Sequence, residues 1–345
     1  MTKLSAIPAI LGGKLARGYQ HILLIPYMKI PIGGKMQKII ALALLGVIGL
    51  TSCQYRSEKK ETSPDAHQMR IVHKLGESLV DEHPERVVTL DIGALETMNE
   101  LGVKPVGIPK RHLPEYLADM RTDPAVEDAG SVIDPDIEAI AALSPDLILI
   151  STRQERFYSQ LSKIAPTVFI GTDNADYLRS FQENTQLLGT IFSKMELAQQ
   201  KLDGLNAKIQ SARAIFENMP EKGLFLIYND GRFSAFGKGS RFGFVHDVLG
   251  IKPVLDLQDE SVHGQRISNE HIAQANPDYL FIVDRNAAVM GMEANPDDIE
   301  NQLIRQTKAY KNQQVFYLNP DVWFISGGGL TSVELMVDDI VGLIK

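Results

Sequence analysis

The chain has 345 residues, 44% of them hydrophobic and 23% charged, with a formal net charge of −8. That is a globular balance, long enough for two domains of ordinary size, and it argues against a nucleic-acid binder, which presents a basic face to phosphates. The single cysteine excludes an internal disulfide and leaves no cysteine set for an iron–sulfur cluster, so the core alone must hold the fold together.

Residues 1–35 are expected to lie upstream of a functional start at Met36. From there MQKIIALALLGVIGLTS (36–52) carries an early lysine and an apolar run from Ile39 to Leu50. As a helix that run covers roughly 18 Å, short of a ~30 Å hydrocarbon core, so it reads as an export signal rather than a membrane span. Leu50-Thr51-Ser52-Cys53 resembles the bacterial lipobox, where the signal is cut before a cysteine that receives diacylglycerol. The other reading of Cys53, a buried free thiol, needs a core around it. The sequence that follows, QYRSEKKETSPDAHQ, is instead polar and linker-like, and 53–69 is read as a flexible linker.

An N-terminal lobe is expected over 70–175. Its short β-rich runs RVVTLD, PVGI, DLILIS and TVFI alternate with helical patterns such as GALETMNELG, the order of a parallel α/β sheet. Residues 176–219 read as a connecting helical segment; a helix from Ile191 to Glu217 would extend roughly 40 Å and act as a stiff spine. A C-terminal lobe over 220–345 starts a second series with GLFLIYN, DYLFIVD and VFYLN. The fold class is therefore α/β: two parallel-sheet lobes joined by a long helix.

One stretch occurs twice. IEAIAALSPDLILISTR (137–153) and NEHIAQANPDYLFIVDR (269–285) align without a gap, matching Glu138 with Glu270, Ile140 with Ile272, Ala141 with Ala273, Pro145 with Pro277, Asp146 with Asp278, Ile150 with Ile282 and Arg153 with Arg285. Each copy reads as a helix stopped by proline, a tight turn, a buried strand and an arginine beyond its end. Common αβ grammar accounts for part of the match; the paired glutamates and arginines go beyond it. Ligand crevices form outside the carboxyl ends of such strands, so Arg153 and Arg285 are expected to face one cleft and grip an anionic ligand from both lobes.

RVVTLDIGALETMNELGV, DPDIEAIAALSPDLILI, FSAFGKGSRFGFVHDVLG, SVHGQRIS, NPDYLFIVDR and TKAYKNQQVFYLNPDVWF together resemble the substrate-binding lipoproteins of iron–siderophore ABC importers, in the catecholate group that handles enterobactin-, bacillibactin- or petrobactin-like complexes. The resemblance covers nearly all of 70–345. It implies a helical-backbone (class III) periplasmic binding protein whose cleft holds Arg153, Arg241 and Arg285, with His263 a candidate direct iron ligand and Trp323 and Phe324 beside the ligand. Arginine suits a ferric catecholate because it is a permanent cation with five N–H donors. Phe324 departs from the pattern: family members that coordinate iron have tyrosine there, and a phenyl ring has no oxygen to offer. The resemblance also implies that Glu138 and Glu270 dock on the permease, although a glutamate in a first helical turn also complements the helix dipole.

The implied protein is not an enzyme and has no resident cofactor, since iron arrives within the ligand. Its expected partners are the siderophore, an inner-membrane ABC permease and the lipid on Cys53; it is expected to be a monomer on the periplasmic side of a bacterial membrane, or at the surface of a cell with one membrane. Two alternatives stand beside this reading. One is a binding protein for another iron chelate, such as hydroxamate, citrate or heme. The other is a hydrolase on a related two-lobed scaffold, for which no nucleophile–base motif is evident. A zinc-binding importer would need converging ligands, and His246, inside the amphipathic FGFVHDVLG, reads as structural.

Overall fold

A computed structural model describes residues 67–111, 113–257, 264–290 and 295–344. The hairpin of β1 (Gln68–His73) and β2 (Gly76–Asp81) precedes the first sheet and is fastened to it by Ser78, whose hydroxyl donates to the Thr167 carbonyl at 2.8 Å. That sheet consists of β3 (Val87–Thr89), β4 (Gly107–Ile108), β5 (Glu127–Asp128), β6 (Leu147–Ile150) and β7 (Thr167–Phe169). All its strands are parallel, in the order β5-β4-β3-β6-β7. Its strand residues are buried on both faces at β3, β6 and β7, which is why they read as unbroken apolar runs. Helices α1 (Ile92–Glu100), capped by the Asp91 carboxylate on the Ala94 N–H at 2.8 Å, and α2 (Ile137–Ala142) belong to this lobe.

The connection is a helical hairpin rather than one helix. α3 (Tyr177–Ile191) and α4 (Met195–Phe216) run antiparallel, joined through Phe192–Lys194, where Ser193 adopts φ +55°. The expected helix thus begins later, at Met195, and its 22 residues cover about 33 Å. Its buried residues Ala198, Leu202, Leu205, Ile209, Ala212 and Phe216 recur at alternating spacings of four and three, a narrow seam on one face. Ala198 packs in the core of the first lobe and Leu202 to Phe216 in that of the second. One rigid element is therefore shared by both cores, each large apolar side chain contributing roughly 1.5–3 kcal/mol.

The second sheet contains β8 (Lys222–Asn229), β9 (Arg232–Phe236), β10 (Lys252–Pro253), β11 (Gln265–Ile267), β12 (Tyr279–Asp284) and β13 (Val315–Tyr317). Strands β8, β12 and β13 are parallel and repeat the first lobe, but β9 runs antiparallel to both its neighbours, β8 and β11, in the order β11-β9-β8-β12-β13. The reason is local: Asp230 and Gly231 both take positive φ (+48° and +77°), the conformation of a tight hairpin turn. Helices α5 (Asn269–Ala275), α6 (Arg285–Met290) and α7 (Leu330–Leu343) complete the set used below.

The repeated segments fold as matching units with a shared fastening. The Asp146 carboxylate accepts the backbone N–H groups of Glu85 (2.7 Å) and Arg86 (3.0 Å) ahead of β3, and the Asp278 carboxylate accepts that of Lys222 (2.9 Å) at the start of β8. Each Pro-Asp therefore locks its strand to the neighbouring one. Ile140 and Ile272 are buried, whereas Ala141 is exposed and Ala273 only partly covered, so the inward face is narrower than the Ile-Ala pairing suggests.

All described residues fall within one contact unit, Thr62–Lys345. The lobes meet where α1 abuts the loop before α7. A Cβ on Gly93 would stand 2.6 Å from the Gly328 carbonyl carbon, so only glycine permits this approach. Beside it the fully buried Glu96 carboxylate accepts the Tyr116 hydroxyl at 2.6 Å, the Ser332 N–H at 2.7 Å and the Ser326 hydroxyl. Tyr177 adds a bond from its hydroxyl to the Gly327 carbonyl at 2.6 Å.

Candidate functional site

A cleft of about 600 Å³ opens between the lobes. Arg153 reaches it from the turn after β6, Arg285 from the start of α6 after β12, and Arg241 from the Gly239–Gly243 loop. The structure thus brings together the three arginines singled out in the sequence. Arg153 crosses to the segment Asp321–Ile325, donating to the Phe324 carbonyl at 2.6 Å and the Ile325 carbonyl at 2.7 Å. Arg241 donates to the same Phe324 carbonyl at 2.9 Å, and its guanidinium lies 4.7 Å from the Phe242 ring centre and 4.9 Å from that of Phe324. Arg285 is exposed and donates to the Asn229 side-chain oxygen at 3.3 Å. Each guanidinium has five N–H donors, so all three retain free donors for a ligand.

Burial lowers the Arg153 pKa, with Asp91 opposing, and pushes Arg241 down to about 9, helped by the like charge of Arg153. Both remain cations at neutral pH. Their depressed values mean that two charges are held partly desolvated and close together, and an anion placed between them relieves that cost.

Phe324 lines the cleft with its ring stacked on Phe242 (centroids 6.2 Å apart, 14° between planes). Trp323 does not join it. Its side chain is 2% exposed, packed against Phe225 and Phe244, and its indole N–H donates to the Asp339 carboxylate at 2.8 Å. With its donor satisfied in the core, Trp323 only borders a narrower recess next to Arg153 and Arg241. His263 and Cys53 lie outside the described residues. His246 is buried, its Nδ1 2.8 Å from the Ile251 carbonyl, with burial pushing its pKa down to about 4. It is a neutral core residue at physiological pH.

Glu138 and Glu270 are both exposed in the first turns of α2 and α5. Hydrogen bonds to its own backbone N–H and to Ser268 lower the Glu270 pKa. The helix N-termini are already capped by Asp136, bonded to the Ala139 N–H at 2.9 Å, and by Ser268, bonded to the His271 N–H at 3.2 Å. Helix capping therefore does not call on Glu138, while Glu270, although bonded locally, also stays exposed at the surface.

Two further cleft residues were missed in the sequence: Arg232 on β9 and Arg266 on β11. The signal was present in Asn-Asp-Gly-Arg (229–232), a hairpin turn followed by the alternating RFSAF. Five arginines line the cleft, and no carboxylate does so among the described residues.

A bilobal α/β scaffold stiffened by a helical hairpin, with a cationic, aromatic-walled cleft between its lobes, defines a ligand-binding protein of the periplasmic-receptor class. Residues 87–322 match the model of one such family, and the chain belongs to it: it is a periplasmic binding protein. It is 36% identical over 307 residues to the petrobactin-binding protein YclQ of Bacillus subtilis (strain 168), covering 88% of this chain and 96% of that protein. The crystal structure of YclQ superposes with a TM-score of 0.78 at 38% identity, covering 81% of this chain and 99% of the other. The ferric-anguibactin-binding protein FatB of Vibrio anguillarum (strain ATCC 68554 / 775) is also 36% identical, over 308 residues, 88% of this chain and 96% of its own. The periplasmic catecholate-siderophore binding protein VctP of Vibrio cholerae superposes with a TM-score of 0.76 at 33% identity, covering 80% of this chain and 99% of that one. No described helix is long and apolar enough to cross a membrane.

Proposed function

We propose that this protein is the substrate-binding component of an ABC importer and captures a ferric catecholate siderophore in the arginine cleft. The observation that carries this reading is the set of five arginines facing one space with no described carboxylate among them. Such a site favours a compact polyanion, and the phenyl rings of Phe242 and Phe324 offer flat apolar walls to catechol rings. Relatives named for petrobactin and ferric anguibactin support the same ligand class. Iron is cargo here, so no resident cofactor is needed, and the ligand leaves chemically unchanged.

Capture follows from the geometry. The anion draws Arg153, Arg241 and Arg285 around its oxygens and reduces the repulsion between Arg153 and Arg241, each charged hydrogen bond contributing about 1.5–3 kcal/mol before desolvation. The shared helix α4 and the Glu96 contact keep lobe movement small, so the loaded protein presents a nearly fixed face. Glu138 and Glu270, one per lobe, are the carboxylates that engage basic residues of the permease, and Cys53 carries the lipid that retains the protein at the periplasmic side of the membrane.

Titration of the purified protein with a panel of ferric catecholates, ferric citrate and a ferric hydroxamate tests this. Catecholates should bind most tightly, and Arg153→Gln, Arg241→Gln and Arg285→Gln should each weaken them by about 1–3 kcal/mol. Parent-like affinity in all three variants would remove the cleft assignment. Accumulation of altered siderophore in proportion to protein and time would favour the hydrolase instead.

A further inference from the structure

The arginines of the cleft exceed what a ferric catecholate centre requires. Fe(III) bound by three doubly deprotonated catechols carries three negative charges, matched by Arg153, Arg241 and Arg285. Arg232 and Arg266 remain. Both are exposed, and neither has a hydrogen bond or ion pair to another described side chain.

Their placement is set by strand register. Arg232 and Ser234 are two residues apart on β9 and share one sheet face, and Arg266 of β11 pairs directly with Ser234. Arg232 and Arg266 are thus diagonal cross-strand neighbours, about 7–8 Å apart at their backbones, close enough for two long side chains to converge on one carboxylate. On the other side Arg232 pairs with Asn229 of β8, which holds Arg285 at 3.3 Å. The two arginines consequently continue the cationic surface away from Arg153 and Arg241, along the antiparallel strands that the first lobe lacks. Like charges at diagonal positions repel, and that repulsion is relieved by an anion between them.

We propose that Arg232 and Arg266 recognise a carboxylate of the siderophore that lies outside the iron centre, making the preferred ligand a ferric catecholate with a pendant acidic group. This rests on the ferric-catecholate reading above. It assigns the two lobes different tasks: the Arg153, Arg241 and Arg285 set meets the iron centre, and the β9–β11 edge of the C-terminal lobe reads the periphery of the ligand.

The test uses two synthetic ferric tris-catecholamide chelates, identical except that one bears a free carboxylate on its backbone, titrated into the full-length protein. The readout is the ratio of their dissociation constants. The parent should prefer the carboxylate-bearing chelate by about tenfold or more, as expected for one paired charge-assisted contact. The double variant Arg232→Gln/Arg266→Gln should bring the ratio close to one, while Lys238→Gln, removing an exposed cation at a different opening between the lobes, should preserve it. Retention of the preference in the double variant, or its equal loss in Lys238→Gln, overturns the proposal, the latter because it would reflect overall charge alone. Tight binding of both chelates by the parent without preference also overturns it and leaves the ferric-catecholate reading intact. If neither chelate binds, the broader reading falls and this one with it.

Discussion

Glu96→Gln should remove a pH-dependent weakness at the junction of the lobes. The Glu96 carboxyl is fully buried, and burial raises its pKa from the ordinary 4.5 to about 7 despite opposing hydrogen bonds from Ser326, Tyr116 and Ser332. The folded state therefore holds this proton more tightly than the unfolded chain does. Stability falls as pH rises from about 4.5 through about 7 and then levels, the full penalty being about 3 kcal/mol and the part between about pH 5.5 and about pH 8 close to 2 kcal/mol. Glutamine has the same shape: its amide oxygen can take the Ser332 N–H, and the hydroxyls of Ser326 and Tyr116 can turn to accept from its NH2. Urea unfolding of parent and variant at those two pH values is the assay. The difference between their slopes isolates Glu96, because His246, held neutral by burial at a pKa of about 4, contributes the opposite trend equally to both. The parent should lose about 2 kcal/mol more than the variant over this range; identical slopes would show that Glu96 does not titrate in the folded protein and would refute the reasoning.

Gly93→Ala should lower the melting temperature, because its methyl would stand 2.6 Å from the Gly328 backbone, a clash costing about 1–3 kcal/mol; Gly204→Ala, at a helical site with open space, should instead match or slightly exceed the parent. Phe324→Tyr places a phenol on the cleft wall and should tighten ferric chelates that leave iron positions open while changing hexadentate ones little. The ligand-to-metal absorption band reports this, and an unshifted band with tetradentate chelates would mean that position 324 does not face the iron. Glu138→Arg and Glu270→Arg should leave siderophore affinity close to that of the parent but impair uptake in a reconstituted importer, and normal uptake by both at subsaturating ligand would reject the docking role.

Much of the architecture was legible because it depends on short-range rules. Apolar runs between turn residues marked β3, β6, β8 and β12, and the duplicated helix-Pro-Asp-strand segment revealed two related lobes with Arg153 and Arg285 at matching strand ends. The duplication also hid something: two copies of one parallel lobe leave no place for the hairpin turn at Asp230-Gly231, which adds β9 antiparallel to β8 and gives β11 an edge to pair with. The long helix was legible as amphipathic, but its break at Phe192–Lys194 depends on α3 folding back along α4, a contact that spacing within one helix does not encode.

Local sequence determined which residues could form strands, where proline ended helices, and that arginines would stand just beyond two of those strands. Tertiary structure decided which arginines share a space, since Arg153, Arg241 and Arg285 come from separate segments and Arg232 and Arg266 enter only through strand register. It also separated two adjacent aromatics: Trp323 turned inward because Asp339 satisfies its N–H within the core, while Phe324, with no polar atom to satisfy, was left to wall the cleft and lend its carbonyl to Arg153 and Arg241. Neighbours in sequence acquired opposite roles because burial and hydrogen-bond satisfaction are settled by the packed chain as a whole.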